Sequence, residues 1–508
     1  MSKILFVTTD QQRYDTLGCN GGTLARTPVV DALAARGLRY ERAVPSSVVC
    51  MPSRATMLTG QHPATHGVWM NGVPLADDAP SVAEVLRQAG YRTALIGKAH
   101  FEPFLDPFGR FAENALGALG PTPPGGAHRG FEHLQLATHG VMGPLHYARW
   151  LRATHPEAVS GFYETLDADL QVNARGGGAT GAPQVAANPV PREWYHTDWV
   201  AQRTLDWLSG LADDDDWFCW MSFPDPHHPW DPPESEMHRI DWRDVPLPVG
   251  YPARRDEREA LLDAKPRHWR LWYDGTLVSN YEAPASWVPA SLTDNQVREV
   301  NARNAVEVEL IDEALGRVLR ALDARGWADD VDVIVTTDHG EFQGDFGLLF
   351  KGPYHVDSLM RLPLVWRPAP RRGVTPAVIH RPVGLIDLAP TFCTLAGVEP
   401  PAFLEGRPLP TSAEEPTRPV LTEWDSELFG VDVHLRTITH DGYVCTTYLP
   451  GTVHEGSEGE LYDLVDDPLQ HVNRFDDPSF ATLRDDLISE AHNVRPTPTV
   501  RREVVAPV

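Results

Sequence analysis

The chain has 508 residues, of which 42% are hydrophobic and 22% charged, a composition typical of a folded globular protein. Its formal net charge of −26 argues against nucleic acid or an anionic membrane as a partner, because both would repel it. No stretch is long and apolar enough to span a bilayer, and nothing resembles a signal peptide. The five cysteines show neither metal-ligand spacing nor a disulfide framework, so we expect a cytoplasmic protein.

The first predicted element is a buried strand at 3–9, a continuous apolar run that leads directly into Asp10 and Gln11. In open α/β sheets, ligand sites gather at the carboxyl ends of strands, and oxygen donors there suit a hard divalent cation. The alternative for Asp10 is an ordinary turn or cap residue. A short helix is predicted at 27–37, between a proline and a glycine.

At Cys50, an extended apolar run changes into a helix-like segment. Pro52 fixes φ and suits the first helical turn, which places Cys50 at the helix N-terminus, where the dipole favours anions. Arg54 lies about one turn further on and offers a planar charged fork suited to sulfate or phosphate oxygens. The alternative for Cys50 is a buried core thiol. The Asn71-Gly72 pair that follows is typical of a loop or turn.

Polar side chains also follow three later buried strands, predicted at 93–97, 217–223 and 331–337. The residues concerned are, in order, Lys98 and His100, then His227 and His228, and finally Asp338 and His339. The last pair follows its strand in the same manner as Asp10 and Gln11. This is the arrangement expected for a metal held between two strand ends. A lysine and a histidine at an isolated strand end would more often be surface residues.

The remaining predicted elements are helices at 81–90, 198–211, 301–325 and 387–397, and a strand at 361–365. We expect a large domain over 1–400 and a small antiparallel-sheet domain over 401–508, joined by a proline-rich linker. Segments near 101–197 and 231–290, rich in glycine, proline and aromatic residues, are predicted to be insertions. They would wall a pocket or contact another subunit of a homo-oligomer.

The run Cys50-Met51-Pro52-Ser53-Arg54, with Leu58-Thr59-Gly60 after it, resembles the signature of type I sulfatases, the formylglycine-dependent members of the alkaline phosphatase superfamily. Three more elements resemble motifs of that family: Gly97-Lys98-Ala99-His100, Pro226-His227-His228-Pro229 and Gly347-Leu348-Leu349-Phe350-Lys351. The resemblance spans most of the chain. It implies an α/β fold with a large mixed, mostly parallel sheet flanked by helices, and a smaller carboxyl-terminal α+β domain.

The resemblance also implies roles for individual residues. In this family, a separate formylglycine-generating enzyme oxidises the cysteine to Cα-formylglycine, and a hydroxyl of its hydrate attacks sulfur in line. Arg54 and the metal would polarise that nucleophile, and His100 would take the proton of the second hydroxyl. Charge on the ester would be neutralised by Lys98, His227 and Lys351, and Asn71 would bind ester oxygens.

The implied ligands of one divalent metal are Asp10, Gln11, Asp338 and His339. Many family members have Asp at the position of Gln11 and Asn at that of His339, so the identity of the ion is open. Ca²⁺ is expected first, with Mn²⁺, Mg²⁺ and Zn²⁺ as alternatives. Gln11 is similar to the choline-sulfatase-like and phosphonate-monoester-hydrolase-like members.

The implied function is hydrolysis of a small-molecule sulfate monoester. The alternative is a phosphonate monoester or phosphodiester hydrolase, since the same cation-lined pocket tolerates tetrahedral phosphorus. Lys98 and His100 favour sulfate, because phosphonate monoester hydrolases carry other residues there. A third hypothesis is a non-catalytic anion-binding protein in which Cys50 stays a thiol.

Overall fold

The computed structural model describes residues 2–506 except 107, 167–171, 174, 279–283, 285, 429 and 499–500. Its strands are β1 Lys3–Thr9, β2 Leu38–Val44, β3 Arg92–Gly97, β4 His133–Leu136, β5 Gly176–Gly177, β6 Ala182–Pro183, β7 Trp217–Ser222, β8 Val331–Thr337, β9 Leu362–Arg367, β10 Ala377–Gly384, β11 Val420–Leu428, β12 Val431–His440, β13 Tyr443–Tyr448 and β14 Gly459–Asp463. Its α-helices are α1 Pro28–Ala35, α2 Cys50–Thr59, α3 Pro63–His66, α4 Val82–Gln88, α5 Ala112–Leu116, α6 His146–Thr154, α7 His196–Ser209, α8 Arg255–Asp263, α9 His268–Tyr273, α10 Asp294–Ala324, α11 Asp357–Met360, α12 Leu388–Ala396 and α13 Ala481–Val494.

An eight-stranded mixed sheet, in the order β10-β2-β9-β8-β1-β7-β3-β4, organises the large domain. Within it β9 runs antiparallel to both of its neighbours, and the other described pairings are parallel. The run β8-β1-β7-β3-β4 is therefore wholly parallel, so the carboxyl ends of these strands lie along one edge. This confirms the predicted α/β fold with a large, mostly parallel sheet.

Strand β1 lies at the centre because it is apolar on both faces. Ile4 and Phe6 pack into the core that includes α4 and α12, whereas Leu5 and Val7 pack into the opposite core with α7 and α10. A strand buried on both sides has a continuous rather than an alternating apolar run. The same reasoning explains why β3, β7 and β8 were predictable from their sequences.

A four-stranded antiparallel sheet, in the order β11-β12-β13-β14, forms the carboxyl-terminal part of the fold. Helix α13 covers it through a small apolar cluster that includes Ile438, Leu461, Phe475 and Leu487. This confirms the antiparallel sheet expected there.

Some predicted elements have other bounds in the structure. Helix α10 begins at Asp294, seven positions before the predicted start, because Thr293 and Gln296 form a reciprocal capping box at its N-terminus. Strands β2, β4 and β10 were not predicted. Strand β4 lies inside the segment 101–197, so part of that segment belongs to the central sheet.

Gly97, the last residue of β3, allows β3 and β7 to approach closely just before Lys98. Its φ is +110°, and a Cβ there would lie 1.6 Å from the carbonyl oxygen of Ser222. We expect Gly97→Ala to lower the free energy of unfolding by about 3 kcal/mol or more. The cost of backbone strain at a positive φ and the cost of the steric clash add to each other. In the control Gly90→Ala, φ is +95° but nothing lies within 4 Å, so only the backbone strain remains. Urea unfolding of both variants checks this, and equal losses would contradict it.

Candidate active site

The residues predicted for the site meet at the carboxyl edge of the parallel strands. Each of β8, β1, β7 and β3 delivers its polar residues there, and the N-terminus of α2 brings Cys50. All eleven are at most 6% exposed; they are Asp10, Gln11, Cys50, Arg54, Asn71, Lys98, His100, His227, Asp338, His339 and Lys351. Helix α2 begins at Cys50 as predicted, with Val49 extended before it.

Four of these residues form a compact group of possible metal ligands. One ligand atom each from Asp10, Cys50, Asp338 and His339 lies within 4.8 Å of the others. The Sγ of Cys50 is 3.1 Å from Nε2 of His339 and 3.8 Å from Oδ1 of Asp10. The Nδ1–H of His339 donates to the carbonyl oxygen of Gly340 at 3.0 Å, so Nε2 is the ring nitrogen that could bind a metal.

The amide of Gln11 is oriented by other partners. Its Oε1 accepts from Nζ of Lys351 at 2.5 Å, and its Nε2 donates to Glu341 and to Nδ1 of His228. Burial raises the pKa of Glu341 to about 7. The predicted ligation of a metal by Gln11 remains a prediction, and Glu341 and His228 emerge as the residues that orient it.

Arg54 forms ion pairs with both aspartates of the site, Asp10 and Asp338. It is 0% exposed, and its Nε donates to Asp338 at 2.7 Å while Nη2 donates to Asp10 at 3.1 Å. Nη1 donates to the Lys98 carbonyl and to Oγ of Ser222, both at 2.9 Å, and Nη2 also lies 3.4 Å from the Thr9 carbonyl oxygen.

These contacts account for all five N–H donors of the guanidinium group. In this arrangement the guanidinium fork faces protein acceptors, and the binding of ester oxygens by Arg54 remains a prediction. A buried arginine between two carboxylates must satisfy both of them first. Arg54 thus bridges Asp10 and Asp338.

Two lysines bring positive charge to the same edge. Nζ of Lys98 lies 2.5 Å from Oδ2 of Asp10, and Nζ of Lys351 donates to Nε2 of His227 at 2.9 Å. Burial opposes ionisation of Asp10, but Lys98 and the other nearby cations outweigh it and hold the pKa of this carboxyl well below its usual range. The positive charges close to Asp10 thus determine its ionisation, although the protein as a whole carries a large negative charge.

Asn71 supports the start of α2. Its Oδ1 accepts a hydrogen bond from the backbone N–H of Met51 at 3.0 Å, next to Cys50. The carboxyl-terminal segment returns to this loop, where the backbone N–H of Val505 donates to the Gly72 carbonyl at 3.0 Å. Neither contact was foreseen, and the binding of ester oxygens by Asn71 remains a prediction.

A cavity of about 50 Å³ opens beside Lys98, His100, His227 and His228. The segment 101–197, which was expected to wall a pocket, supplies its other lining residues: Phe104, Leu105, His139, Met142, Thr165, Leu166, Val172 and Gln184. His100 is positioned in this wall with its ring 5.0 Å from that of Phe104.

Sequence reasoning missed His139. It lies three residues beyond the end of β4, where it contacts Lys98 and stacks on His227. The sequence does contain a pattern that could have indicated it. Leu134 and Leu136 alternate with polar residues, as in a strand, and His139 follows them as other polar residues follow the predicted strands. At four residues, β4 was too short to recognise.

In the part of the chain that the structure describes, no helix combines the length and the apolar character needed to cross a bilayer.

Comparison with known proteins places this site in a family. The family model described as Sulfatase matches residues 2–398. The sulfatase YidJ of Escherichia coli K12 is 28% identical over 94% of this chain and 84% of its own. The multifunctional alkaline phosphatase superfamily protein PehA of Trinickia caryophylli is 28% identical over 96% of this chain and 94% of its own.

Among solved structures, the phosphonate monoester hydrolase of Agrobacterium radiobacter is similar with a TM-score of 0.77. It is 25% identical in sequence, and the match covers 98% of this chain and 97% of that one. The family match spans the sheet and the described site residues, and the similarity to whole relatives extends through the carboxyl-terminal sheet. This chain therefore belongs to the sulfatase family, with an alkaline-phosphatase-like fold, and is an enzyme of that family.

Proposed function

We propose that this protein hydrolyses sulfate monoesters of small alcohols, with Cys50 converted to formylglycine and one divalent metal beside it. The observation that carries the proposal is the placement of Lys98. Its ammonium lies against Asp10, in the group that includes Cys50, and it follows β3 in the arrangement that favours sulfate. Conversion of Cys50 requires the formylglycine-generating enzyme as a partner during maturation.

The donor set supports a metal at this site. Asp10, Asp338, His339 and residue 50 would hold it, because one ligand atom from each lies within 4.8 Å of the others and carboxylate oxygens and imidazole nitrogens are common ligands of divalent metals. When bound, a divalent ion supplies Lewis-acid polarisation of an ester oxygen and lowers the pKa of a bound hydroxyl. The imidazole of His339 suits Mn²⁺ or Zn²⁺ better than Ca²⁺, which prefers oxygen ligands.

The other proposed roles belong to side chains around the group of possible metal ligands. Arg54 fixes the two carboxylates, and Lys351 and Lys98 carry the positive charge that offsets the ester oxygens. The apolar side chains of Phe104, Met142 and Leu166 line the cavity, so its described wall favours an uncharged alcohol group over a charged one.

The alternative function is hydrolysis of phosphonate monoesters or phosphodiesters. The high structural similarity to a phosphonate monoester hydrolase favours it, as does the glutamine at position 11. The two functions predict different orders of reactivity. We expect kcat/KM for 4-nitrophenyl sulfate to exceed that for phenyl 4-nitrophenylphosphonate, measured on the same formylglycine-containing preparation with the same metal. The reverse order would support the alternative.

Replacing Lys98 with methionine should lower kcat/KM for 4-nitrophenyl sulfate by about 10²–10³-fold, because one preorganised charged donor is lost. Lys98→Arg keeps the charge and should recover part of the loss. Steady-state rates at fixed ionic strength test this, with circular dichroism to confirm folding. A Lys98→Met enzyme as active as the parent would contradict the proposed role.

A further inference from the structure

His139 is a buried histidine of the pocket to which the proposed function has assigned no role. It is 5% exposed and comes from the loop after β4, the edge strand of the parallel run. Its ring stacks on that of His227, with centroids 4.2 Å apart and an interplanar angle of 22°. Its Nε2 lies 3.3 Å from Nζ of Lys98.

These contacts determine which ring nitrogen carries the proton. An ammonium group has only donors, so Nε2 of His139 accepts from Lys98 and its proton must sit on Nδ1. Burial, with His227 and Lys98 adding to it, lowers the pKa of His139 well below its usual value, which agrees with a neutral ring. The Nδ1–H is buried and, among the described residues, has no hydrogen-bond acceptor.

A buried donor without an acceptor costs free energy, so a group outside the described chain is expected to complete it. His139 lines the cavity beside Lys98 and His227. Among the described residues, those lining the cavity do not include Asp10, Cys50, Asp338 or His339. Lys98 lines the cavity and also contacts Asp10 at 2.5 Å, so the cavity adjoins the group of Asp10, Cys50, Asp338 and His339 across Lys98.

In an in-line displacement, the leaving oxygen lies opposite the attacking oxygen. If residue 50 supplies the nucleophile, as the proposed function has it, the leaving oxygen points into this cavity. We propose that His139 is a further catalytic residue, whose Nδ1–H donates a hydrogen bond to the leaving oxygen of the bound ester. This inference rests on the proposed function and assigns the leaving-group side of the same site.

The bond should matter most for poor leaving groups. Negative charge grows on the leaving oxygen as its bond to sulfur breaks, and a basic alcohol holds more of that charge than an acidic phenol. The apolar wall formed by Phe104, Met142 and Leu166 keeps the local dielectric low, which strengthens the hydrogen bond.

The test is a leaving-group series of substituted phenyl sulfates, from 4-nitrophenyl to 4-methoxyphenyl, on the metal-loaded enzyme. His139→Phe keeps an aromatic ring against His227 and removes the donor. We expect it to lower kcat/KM by about 10²-fold or more for the 4-methoxyphenyl ester and by less than about 10-fold for the 4-nitrophenyl ester. His139→Asn retains an amide N–H, so its kcat/KM for the 4-methoxyphenyl ester should lie between those of the parent and of the Phe variant. The Asn variant also tests the proposal if the Phe variant does not fold.

A parallel fall for all esters, with an unchanged dependence on phenol pKa, would overturn the proposal, because His139 would then act only by holding Lys98. His238→Phe serves as the control, since His238 is an exposed residue that contacts the Ser235 carbonyl and lies outside the site. Failure of the parent enzyme to hydrolyse any sulfate ester would refute the proposed function itself, which is a separate outcome.

Discussion

Replacing Cys50 with alanine is expected to abolish sulfate ester hydrolysis, with a fall in kcat of about 10⁵–10⁶-fold, the loss typical of removing a catalytic nucleophile. Cys50 is the residue that the N-terminus of α2 presents to Asp10 and His339, so the change removes the proposed nucleophile. Stopped assays with 4-nitrophenyl sulfate at high enzyme concentration measure the residual rate.

The matched control is Cys19→Ala. Cys19 is a partly buried thiol outside the site, and burial together with Asp31 raises its pKa to about 12, so it is an unreactive thiol. We expect this variant to keep full activity. A Cys50→Ala enzyme that retained more than about 1% of the parental rate would show that residue 50 is not the nucleophile.

Arg54→Met is expected to have the largest effect on stability. It leaves Asp10 and Asp338 buried without the guanidinium that bridges them, and breaking such a buried pair typically costs about 3–5 kcal/mol. Because a bound cation would compensate the same carboxylates, adding divalent metal should recover part of the loss. Urea unfolding with chelator and with Mn²⁺ measures both quantities.

Arg42→Met is the matched control for this change. Arg42 forms a bidentate ion pair with Asp357 through Nη1 and Nη2, at 2.7 and 2.9 Å, and neither residue belongs to the group of possible metal ligands around Cys50. Its loss should lower stability without a metal-dependent recovery and without loss of activity per folded molecule. An Arg54→Met protein as stable as the parent in chelator would contradict the account of the site.

Much of the fold was predictable because four central strands are apolar on both faces and end in polar pairs. The missed strands have physical reasons. Strand β2 carries Arg39, Glu41 and Arg42, whose charges are satisfied by ion pairs in the folded state. Strand β10 contains His380, Arg381 and Pro382, and its pairing with β2 shifts register next to that proline.

The sequence predicted which residues lie in the site, but it did not predict which contacts they make. Strand ends located Asp10, Lys98, His227 and Asp338, because parallel strands bring their carboxyl ends to one edge. The contacts of Arg54 with Asp10 and Asp338 could not be predicted, since the sequence shows a guanidinium near Cys50 but not which acceptors take its protons. His139 was missed because the strand before it has four residues and, among the described residues, pairs with β3 alone.

The most direct test of the central claim is the mass of the peptide that contains residue 50, from protein produced together with a formylglycine-generating enzyme. Replacement of CH₂SH by CHO lowers the mass by about 18 Da relative to the unmodified thiol. The account predicts this shift and a sulfatase rate proportional to the converted fraction. Full activity in protein whose residue 50 is entirely unmodified cysteine would contradict it.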